Sequence, residues 1–439
     1  MRTPVSCYNP PKAPVSSCME RYPTALDIAT YAVAMLEDHP LFNAGKGAVF
    51  TRDGTNELEA SVMVSRPSAY AKRGVGVTGL RRVRNPIKLA RAVLEHGDED
   101  LRARRRHQCA GVNAENEKEG EEHEDLDVPS AQGHTLIHGT TAEILAGKYG
   151  LDLVDPSYFF TQKRWDEHNR SLERASSNKT TTATATWSPD EFLPQGTVGA
   201  VAMDADGMLC VATSTGGVTN KLTGRIGDTP VVGAGFWAEE WEDEAEGPKM
   251  QDLGVPAWQS ARSYLSGIPG AGPTIELGSA LRRFLADCLP TPSLYAPIPL
   301  EHRHGMRPAN ARKTITTRAM AISGTGNGDS FMRIAAARTA GAIARWGRVS
   351  AAEALSRVAG PGGELQRSAG DRWGHTGEGE GGMIGIEVVG ERSTDIGHAA
   401  AVGGARAVVM HDHNSSGMFR AWIDDGGVAR FKIWRDYDD

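Results

Sequence analysis

One short segment of the chain contains a threonine that could act as a nucleophile. Thr197 follows Gly196 and opens a run of alternating small and apolar residues, 198–203. If the bond between Gly196 and Thr197 were cut, Thr197 would carry both a hydroxyl and a free α-amine. An α-amine has a pKa of about 7.7–8.0, so it could accept the hydroxyl proton near neutral pH. Taken alone, a Gly-Thr-Val-Gly string is more typical of an ordinary strand threonine.

The residues after Thr197 predict a hairpin that brings a second hydroxyl beside it. Residues 198–203 and 208–212 flank the turn residues Asp204–Gly207, which end in Asp-Gly. An Asp-Gly pair between two strand-like runs is a strong hairpin signal. Because the second strand returns antiparallel to the first, Thr215 is expected close to Thr197.

A glycine-rich turn farther along the chain carries an arginine and an aspartate, Arg225 and Asp228. An arginine side chain can bind a carboxylate through two parallel hydrogen bonds, and an aspartate can bind an ammonium group. Together they could hold both charged groups of an α-amino acid. The alternative is a surface ion pair, which contributes little to stability.

A second glycine-rich segment, Ser323–Gly326, follows a predicted strand at 318–322. Its Gly-x-Gly-x-Gly spacing departs from the Gly-x-Gly-x-x-Gly of dinucleotide sites, so that interpretation is weak. The other interpretation is an oxyanion hole, where a hydroxyl and a backbone N–H point at developing negative charge.

Six segments, taken in chain order, resemble one known family. They are LEDHPLFNAGKGAVFTRDGTNELEASVM, TVGAVAMD, ATSTGGVTNK, GRIGDTPVVGAG, ISGTGNGDSF and GMFRAW. They resemble the plant-type L-asparaginase/isoaspartyl peptidase family, the type 2 asparaginases, which are N-terminal nucleophile hydrolases with a threonine nucleophile. The resemblance implies an α+β fold, a four-layer α-β-β-α sandwich, in a chain that cuts itself after Gly196. Glycine suits this position because it tolerates the strained backbone that such cleavage requires.

The resemblance also implies roles for individual residues. Thr197 is the expected nucleophile, and the hydroxyl of Thr215 is expected to support it. Arg225 is expected to bind the substrate α-carboxylate and Asp228 its α-amine. The remaining implied site residues are Ser323 and the N–H of Gly324 in the oxyanion hole, the carbonyl of Gly326 as an acceptor for the substrate amine, and the amide of Asn43. The family usually has a threonine where this chain has Ser323, and the hydroxyl is retained.

One loop resembles the family's sodium-binding loop, which is built from main-chain carbonyls. The implied ligands are the carbonyls of Leu36, Glu37, His39, Phe42, Ala44 and Lys46. No other cofactor is expected. Two His-x-His pairs, His302/His304 and His411/His413, have no third ligand nearby in the sequence, so a metal site on either pair is not favoured.

The activity implied is hydrolysis of L-asparagine to L-aspartate and ammonia, of β-aspartyl dipeptides, or of both. One alternative is a taspase-like threonine endopeptidase, although the TGGVTNK and FNAGKG segments favour the asparaginase. The other alternative is a catalytically inactive binding protein. Family members open with a strand that ends in a His-Gly-Gly-Ala-Gly loop, and residues 1–22 contain no such segment. Either the sequence is truncated at its start or the fold lacks this N-terminal strand.

The resemblance divides one composite hydrolase domain into two segments, 1–196 and 197–439. Blocks of like charge predict a disordered surface insert at about 103–130. Ser/Thr-rich composition predicts a flexible tail at about 170–195, and an acidic, then Pro-rich, stretch predicts a long insert at about 239–313. Helices are predicted from Thr24 to Pro40, at 85–95, at 141–149, at 329–346 and from Ser350.

Composition excludes several classes of protein. The net charge is −7 without a basic stripe, so no nucleic-acid partner is expected. No run approaches the roughly 18 apolar residues of a membrane span, and the N-terminus lacks the apolar region of a signal peptide. Five scattered cysteines fit a reducing compartment, so a cytoplasmic location is expected. The expected partners are the small-molecule substrate and a second copy of the cleaved chain.

Overall fold

The computed structural model describes residues 22–66, 74–109, 130–177, 196–243, 314–393, 403–415, 417–424 and 426–434. The chain divides into two compact units, and the larger comprises residues 1–242, 317–390 and 404–439. The smaller unit, 243–316 and 391–403, lies almost wholly outside the described residues. The predictions for 1–21, for 110–129, for 178–195, for 244–313 and for His302/His304 also lie outside them.

The described elements confirm the α+β class. The helices are α1 Ala25–Glu37, α2 Pro86–Cys109, α3 Gly139–Lys148, α4 Gln162–Ser177, α5 Gly328–Arg333, α6 Ala336–Trp346, α7 Ala351–Ala359 and α8 Glu364–Ala369. The strands are β1 Leu58–Val64, β2 Gly74–Leu80, β3 Leu136–His138, β4 Val198–Met203, β5 Leu209–Thr215, β6 Phe236–Asp243, β7 Thr314–Gly326, β8 Gly381–Ser393, β9 Gly403–His413, β10 Arg420–Ile423 and β11 Ala429–Lys432. Among the helices within these ranges, none is both long enough and apolar enough to cross a bilayer.

The first sheet has five strands in the order β3-β2-β1-β5-β4. The predicted hairpin is confirmed as β4 and β5, which pair antiparallel with Val201 opposite Val211. Asp204 holds the turn, because its N–H donates to the Met208 carbonyl (3.1 Å) and its Oδ1 accepts from the Met208 N–H (2.9 Å). A second sheet has the order β6-β7-β8-β9, and β10 pairs with β11.

Three apolar clusters pack against the two sheets. In the first, one face of the five-stranded sheet packs against α1, α2 and α3. In the second, residues of β7 and β8 pack against α6, α7 and α8. The third joins residues that point to the other face of the first sheet, such as Met63 and Val211, to residues of the second sheet, such as Phe236 and Ala321. Since side chains alternate across a strand, each sheet contributes to two of the three clusters.

Helix α1 begins as the sequence predicts. The Asp27 N–H donates to Thr24 Oγ1 (3.2 Å), and the Thr24 N–H donates to Asp27 Oδ2 (3.0 Å), which is a capping box. Helix α2 is longer than its predicted 85–95, because it continues to Cys109 and includes the first residues of the predicted insert.

The structure corrects three predicted boundaries. Residues 170–177 belong to α4 instead of a flexible tail, and residues 239–243 belong to β6 instead of an insert. The helix predicted over 329–346 is broken at Ala335, whose φ of 46° is left-handed. The N–H groups that open α6 donate to the carbonyls of Ala234 and Gly233, and these contacts start a new helix there.

Buried polar side chains of helix α4 form hydrogen bonds with two loops. Arg164 donates to the Gly47 carbonyl (2.7 Å) and to the Leu41 carbonyl (3.4 Å). His168 contacts the side chain of Asn220, whose Nδ2 donates back to the His168 carbonyl (3.2 Å). These long-range contacts hold the first half of α4 against the rest of the fold.

Candidate active site

Thr197 lies just before β4 and is half-buried. The strand register sets Val198, the residue after Thr197, opposite Ser214, the residue before Thr215. The Thr215 hydroxyl accepts a hydrogen bond from the Gly217 N–H (3.0 Å). The Thr197 hydroxyl oxygen lies 3.4 Å from that of Thr229, a fully buried residue that the sequence reasoning missed.

Two hydroxyls of β7 face the hairpin, because residues two apart on a strand point the same way. The Ser323 hydroxyl is buried against that of Thr213 (3.1 Å), and a Cβ at Gly199 would collide with it. The Thr325 hydroxyl occupies the space where a Cβ of Gly196 would stand. Thr325, rather than Ser323, therefore lies against the residue that precedes the candidate nucleophile.

Gly324 of this segment also lies differently from its predicted role. The predicted Ser323–Gly326 loop is the end of β7. The Gly324 N–H donates to the Gly235 carbonyl (2.8 Å), so it is not free to bind an oxyanion. Gly326 packs against the start of β8, and a Cβ added to Gly326 would collide with the Glu380 carbonyl.

Gly328, two residues after Gly326, faces the charged turn. A Cβ at Gly328 would lie 2.6 Å from Asp228 Oδ1 and 3.3 Å from Arg225 Nη2. The sequence contains a signal for this alternative, because the pattern hydroxyl-Gly-x-Gly occurs twice in overlap, as Ser-Gly-Thr-Gly and Thr-Gly-Asn-Gly. The second occurrence places its threonine beside Gly196 and its last glycine beside the turn.

Asp228 and Arg225 are held close together and largely away from water. Asp228 is buried, and its Oδ2 has no hydrogen-bond partner within the described residues. The pKa of Asp228 is raised to about 7, mainly by burial; the charges of Glu59 and Asp329 act in the same direction, and a backbone hydrogen bond and the charge of Arg225 act against it. The Arg225 side chain is 19% exposed and pairs with Asp329 (3.1 Å). An ammonium group beside Oδ2 would remove the cost of leaving that oxygen unpaired.

Asn43 supports the backbone next to Thr215. Its Nδ2 donates to the Gly217 carbonyl (2.7 Å), and its carbonyl accepts from the Gly216 N–H (2.9 Å). Its Oδ1 accepts from the Val49 N–H (3.0 Å). These contacts fix the two glycines that follow β5.

In the loop after α1, two of the carbonyls implied as sodium ligands lie against glycines. A Cβ at Gly45 would collide with the Glu37 carbonyl, and a Cβ at Gly47 would collide with the Phe42 carbonyl. Main-chain oxygens are of the type that suits a hard cation, and the sodium site stays a prediction. Elsewhere in the described ranges, no three His, Cys, Asp or Glu side chains are grouped to hold a metal. His413 is buried, and its Nδ1 contacts the Ser415 carbonyl (2.9 Å).

Comparison with known proteins relates the first half of the chain to one family. Residues 13–105 and 127–242 match the asparaginase family. Over these residues the chain is similar in sequence to that family. The matched part contains Thr197, Thr215, Arg225 and Asp228, whereas β7 and the helices after it lie beyond the match.

Three curated relatives show how far the similarity extends. The isoaspartyl peptidase of Escherichia coli (strain K12) is 38% identical over 221 residues, which is 50% of this chain and 56% of the relative. The putative isoaspartyl peptidase/L-asparaginase of Dictyostelium discoideum is 36% identical over 241 residues, or 49% and 58% of the two chains. The plant-type L-asparaginase of Pyrococcus furiosus is 33% identical over 218 residues, or 49% and 58%. The chain thus spans somewhat more than half the length of these relatives.

Proposed function

We propose that this chain is a self-processing threonine amidohydrolase that acts on L-asparagine, on β-aspartyl dipeptides, or on both. The observation that carries the proposal is the contact between the hydroxyls of Thr197 and Thr229 (3.4 Å). Because Thr229 follows Asp228, this contact sets the candidate nucleophile beside a turn suited to an amino-acid head group. The names of the family relatives supply the substrate class.

In the first step proposed, the Thr197 hydroxyl attacks the carbonyl carbon of Gly196. The peptide bond becomes an ester as the Thr197 nitrogen leaves, and water hydrolyses the ester to free the α-amine. In the second reaction the amine takes the hydroxyl proton, and the oxygen attacks the side-chain amide carbon of the substrate. Ammonia or an amine leaves with a proton, and water then releases aspartate from Thr197.

For the oxyanion of that reaction, the geometry favours the Thr325 hydroxyl over the predicted Ser323. Thr325 lies against Gly196, whereas Ser323 is engaged with Thr213. Removing one oxyanion donor typically lowers kcat about 10²–10³-fold. Thr325→Val should therefore lower kcat by about this factor, and Ser323→Ala by less than about tenfold. The reverse ranking would return the role to Ser323.

The head group of the substrate would be bound by the turn. Arg225 would exchange its exposed partner Asp329 for the α-carboxylate, and Asp228 would accept from the α-amine through its unpaired Oδ2. The order of the three apolar clusters supports the four-layer α-β-β-α arrangement. The sodium loop, the division at Gly196, the self-dimer and the cytoplasmic location remain predictions.

Cleavage is the direct test of this proposal. Denaturing electrophoresis and mass spectrometry of the purified chain should find two fragments, one ending at Gly196 and one beginning at Thr197. Thr197→Ala should remain a single chain. A folded wild-type sample that contains only intact chain would contradict the proposal and favour the catalytically inactive binding protein.

A further inference from the structure

Three polar side chains alternate along β1 and the residue before it. Glu57, Glu59 and Ser61 are each buried, at 4%, 1% and 0% exposure. Strand β1 pairs with β2 on one side and with β5 on the other, so it lies inside the sheet. Buried carboxylates are costly unless they are hydrogen-bonded or paired, and their partners therefore indicate what they are for.

All three side chains bond to the backbone of the turn that carries Arg225 and Asp228. Glu57 Oε2 accepts from the Gly224 N–H (2.8 Å). Both oxygens of Glu59 accept from the Gly227 N–H (3.0 and 3.2 Å). Ser61 donates to the Thr229 carbonyl (2.6 Å). Each glutamate thus fixes the residue directly before one of the two charged residues.

The turn needs such anchors because its own sequence is permissive. Gly224 has a left-handed φ of 86°, a conformation that favours glycine. With no side chain on Gly224 or Gly227, the turn has little to define its shape from within. Charge-assisted hydrogen bonds from carboxylates to backbone N–H groups are roughly twice as strong as neutral ones.

The anchors are themselves held in place. Glu57 Oε1 pairs with Arg81 (2.8 Å), and Glu59 Oε1 accepts from the Thr78 hydroxyl (3.0 Å). The buried Lys221 donates to the Glu57 carbonyl (2.8 Å), which fixes the backbone at that point. Both carboxylates therefore contact the turn on one side and β2 on the other. Glu59 is bonded to Thr78 within β2, and Glu57 is paired with Arg81, the residue after β2.

We propose that Glu57 and Glu59 are positioning residues that set the shape of the Arg225–Asp228 turn and thereby the affinity for the amino-acid head group. This inference rests on the proposed function for its kinetic consequence. It does not place either glutamate in contact with the substrate or with the reacting atoms. Their loss should weaken binding of the head group and leave the chemistry at Thr197 largely intact.

The kinetic test compares Glu59→Gln with wild type in purified full-length chain. The amide keeps one acceptor oxygen but loses the charge, so KM for L-asparagine should rise at least tenfold while kcat changes less than threefold. Self-cleavage should proceed at the wild-type rate, because that step has no free head group to bind. Glu239→Gln is the matched control, a buried glutamate of β6 bonded to Arg338 and Arg345. Its KM should stay within twofold of wild type.

A structural test distinguishes failure of this inference from failure of the proposed function. Hydrogen exchange of the peptide 222–231 should be at least tenfold faster in Glu59→Gln than in wild type and unchanged in Glu239→Gln. This result needs no turnover. If Glu59→Gln does not fold, Glu57→Gln serves instead, with a KM raised at least fivefold and the same faster exchange. Unchanged exchange, or unchanged KM in an enzyme whose wild type is active, would overturn the inference.

Discussion

Asp228 and Glu37 are two buried carboxyl groups with the same electrostatic signature in different surroundings. Burial is the largest cause of the raised pKa of each, about 7 for Asp228 and about 8 for Glu37. Each also has one oxygen without a hydrogen-bond partner within the described residues. These two properties are the usual indications of a functional carboxyl group, yet they cannot distinguish this pair.

The neighbouring residues distinguish Glu37 from Asp228. Glu37 ends α1 inside the first apolar cluster, where its Oε1 accepts from the Ser214 hydroxyl (2.7 Å) and from the Ile87 N–H (3.0 Å). The nearby charge that acts on it, Asp38, has the same sign. Asp228 instead lies beside Arg225, and Gly328 packs so closely on both that a Cβ there would collide with Asp228 Oδ1. A raised pKa indicates burial for both carboxyl groups, whereas only Asp228 has a cation beside it.

The largest expected difference between Asp228 and Glu37 follows from removing Arg225, the cation beside Asp228. Arg225→Ala should raise KM for L-asparagine by the equivalent of about 2–5 kcal/mol, because a charged group of the substrate loses its partner. Self-cleavage should persist, since the precursor presents no free α-carboxylate. Steady-state kinetics and a time course of cleavage measure the two effects. If KM in this variant equals that of wild type, Arg225 does not bind the substrate, and the cation beside Asp228 does not distinguish it from Glu37.

A smaller effect is expected from pH. In the proposed role, Asp228 would bind an ammonium group only when ionised, so KM should rise as pH falls below about 7, approaching about tenfold per unit. Asp228→Asn should have a raised KM that no longer varies with pH between 5 and 8. Glu37→Gln should retain the wild-type profile. If Glu37→Gln flattened the profile instead, the assignment of the two carboxyl groups would be reversed.

The smallest effect concerns stability alone. The pKa of Glu37 is higher in the folded chain than its ordinary 4.5, so its contribution to stability is full below about pH 4.5 and is lost as pH rises through about 8. Glu37→Gln does not titrate, so the Tm of the variant should gain on that of wild type as pH rises from 5 to 9. Thermal melts at matched ionic strength measure this difference. A constant Tm difference would mean that Glu37 is ionised at neutral pH.

Local signals in the sequence predicted the elements that depend on few neighbours. The capping box of α1 and the Asp-Gly hairpin are determined within a few residues, and both are confirmed. The break at Ala335 depends on contacts with a distant segment, so periodicity could not reveal it. The choice between Ser323 and Thr325 is of the same kind, because only the packing of β7 on the hairpin separates two overlapping patterns.

The pairing of β1 with β5 has a consequence for the lifetime of a chain that has been cut after Gly196. Strands β1, β2 and β3 would belong to one fragment and β4 and β5 to the other, so a single sheet would be built from two polypeptides. The intact precursor could refold as one molecule, but separated fragments would have to meet by diffusion, and dilution would slow that encounter. The durability of the mature protein would then depend on how slowly it unfolds and no longer on an equilibrium with the unfolded state.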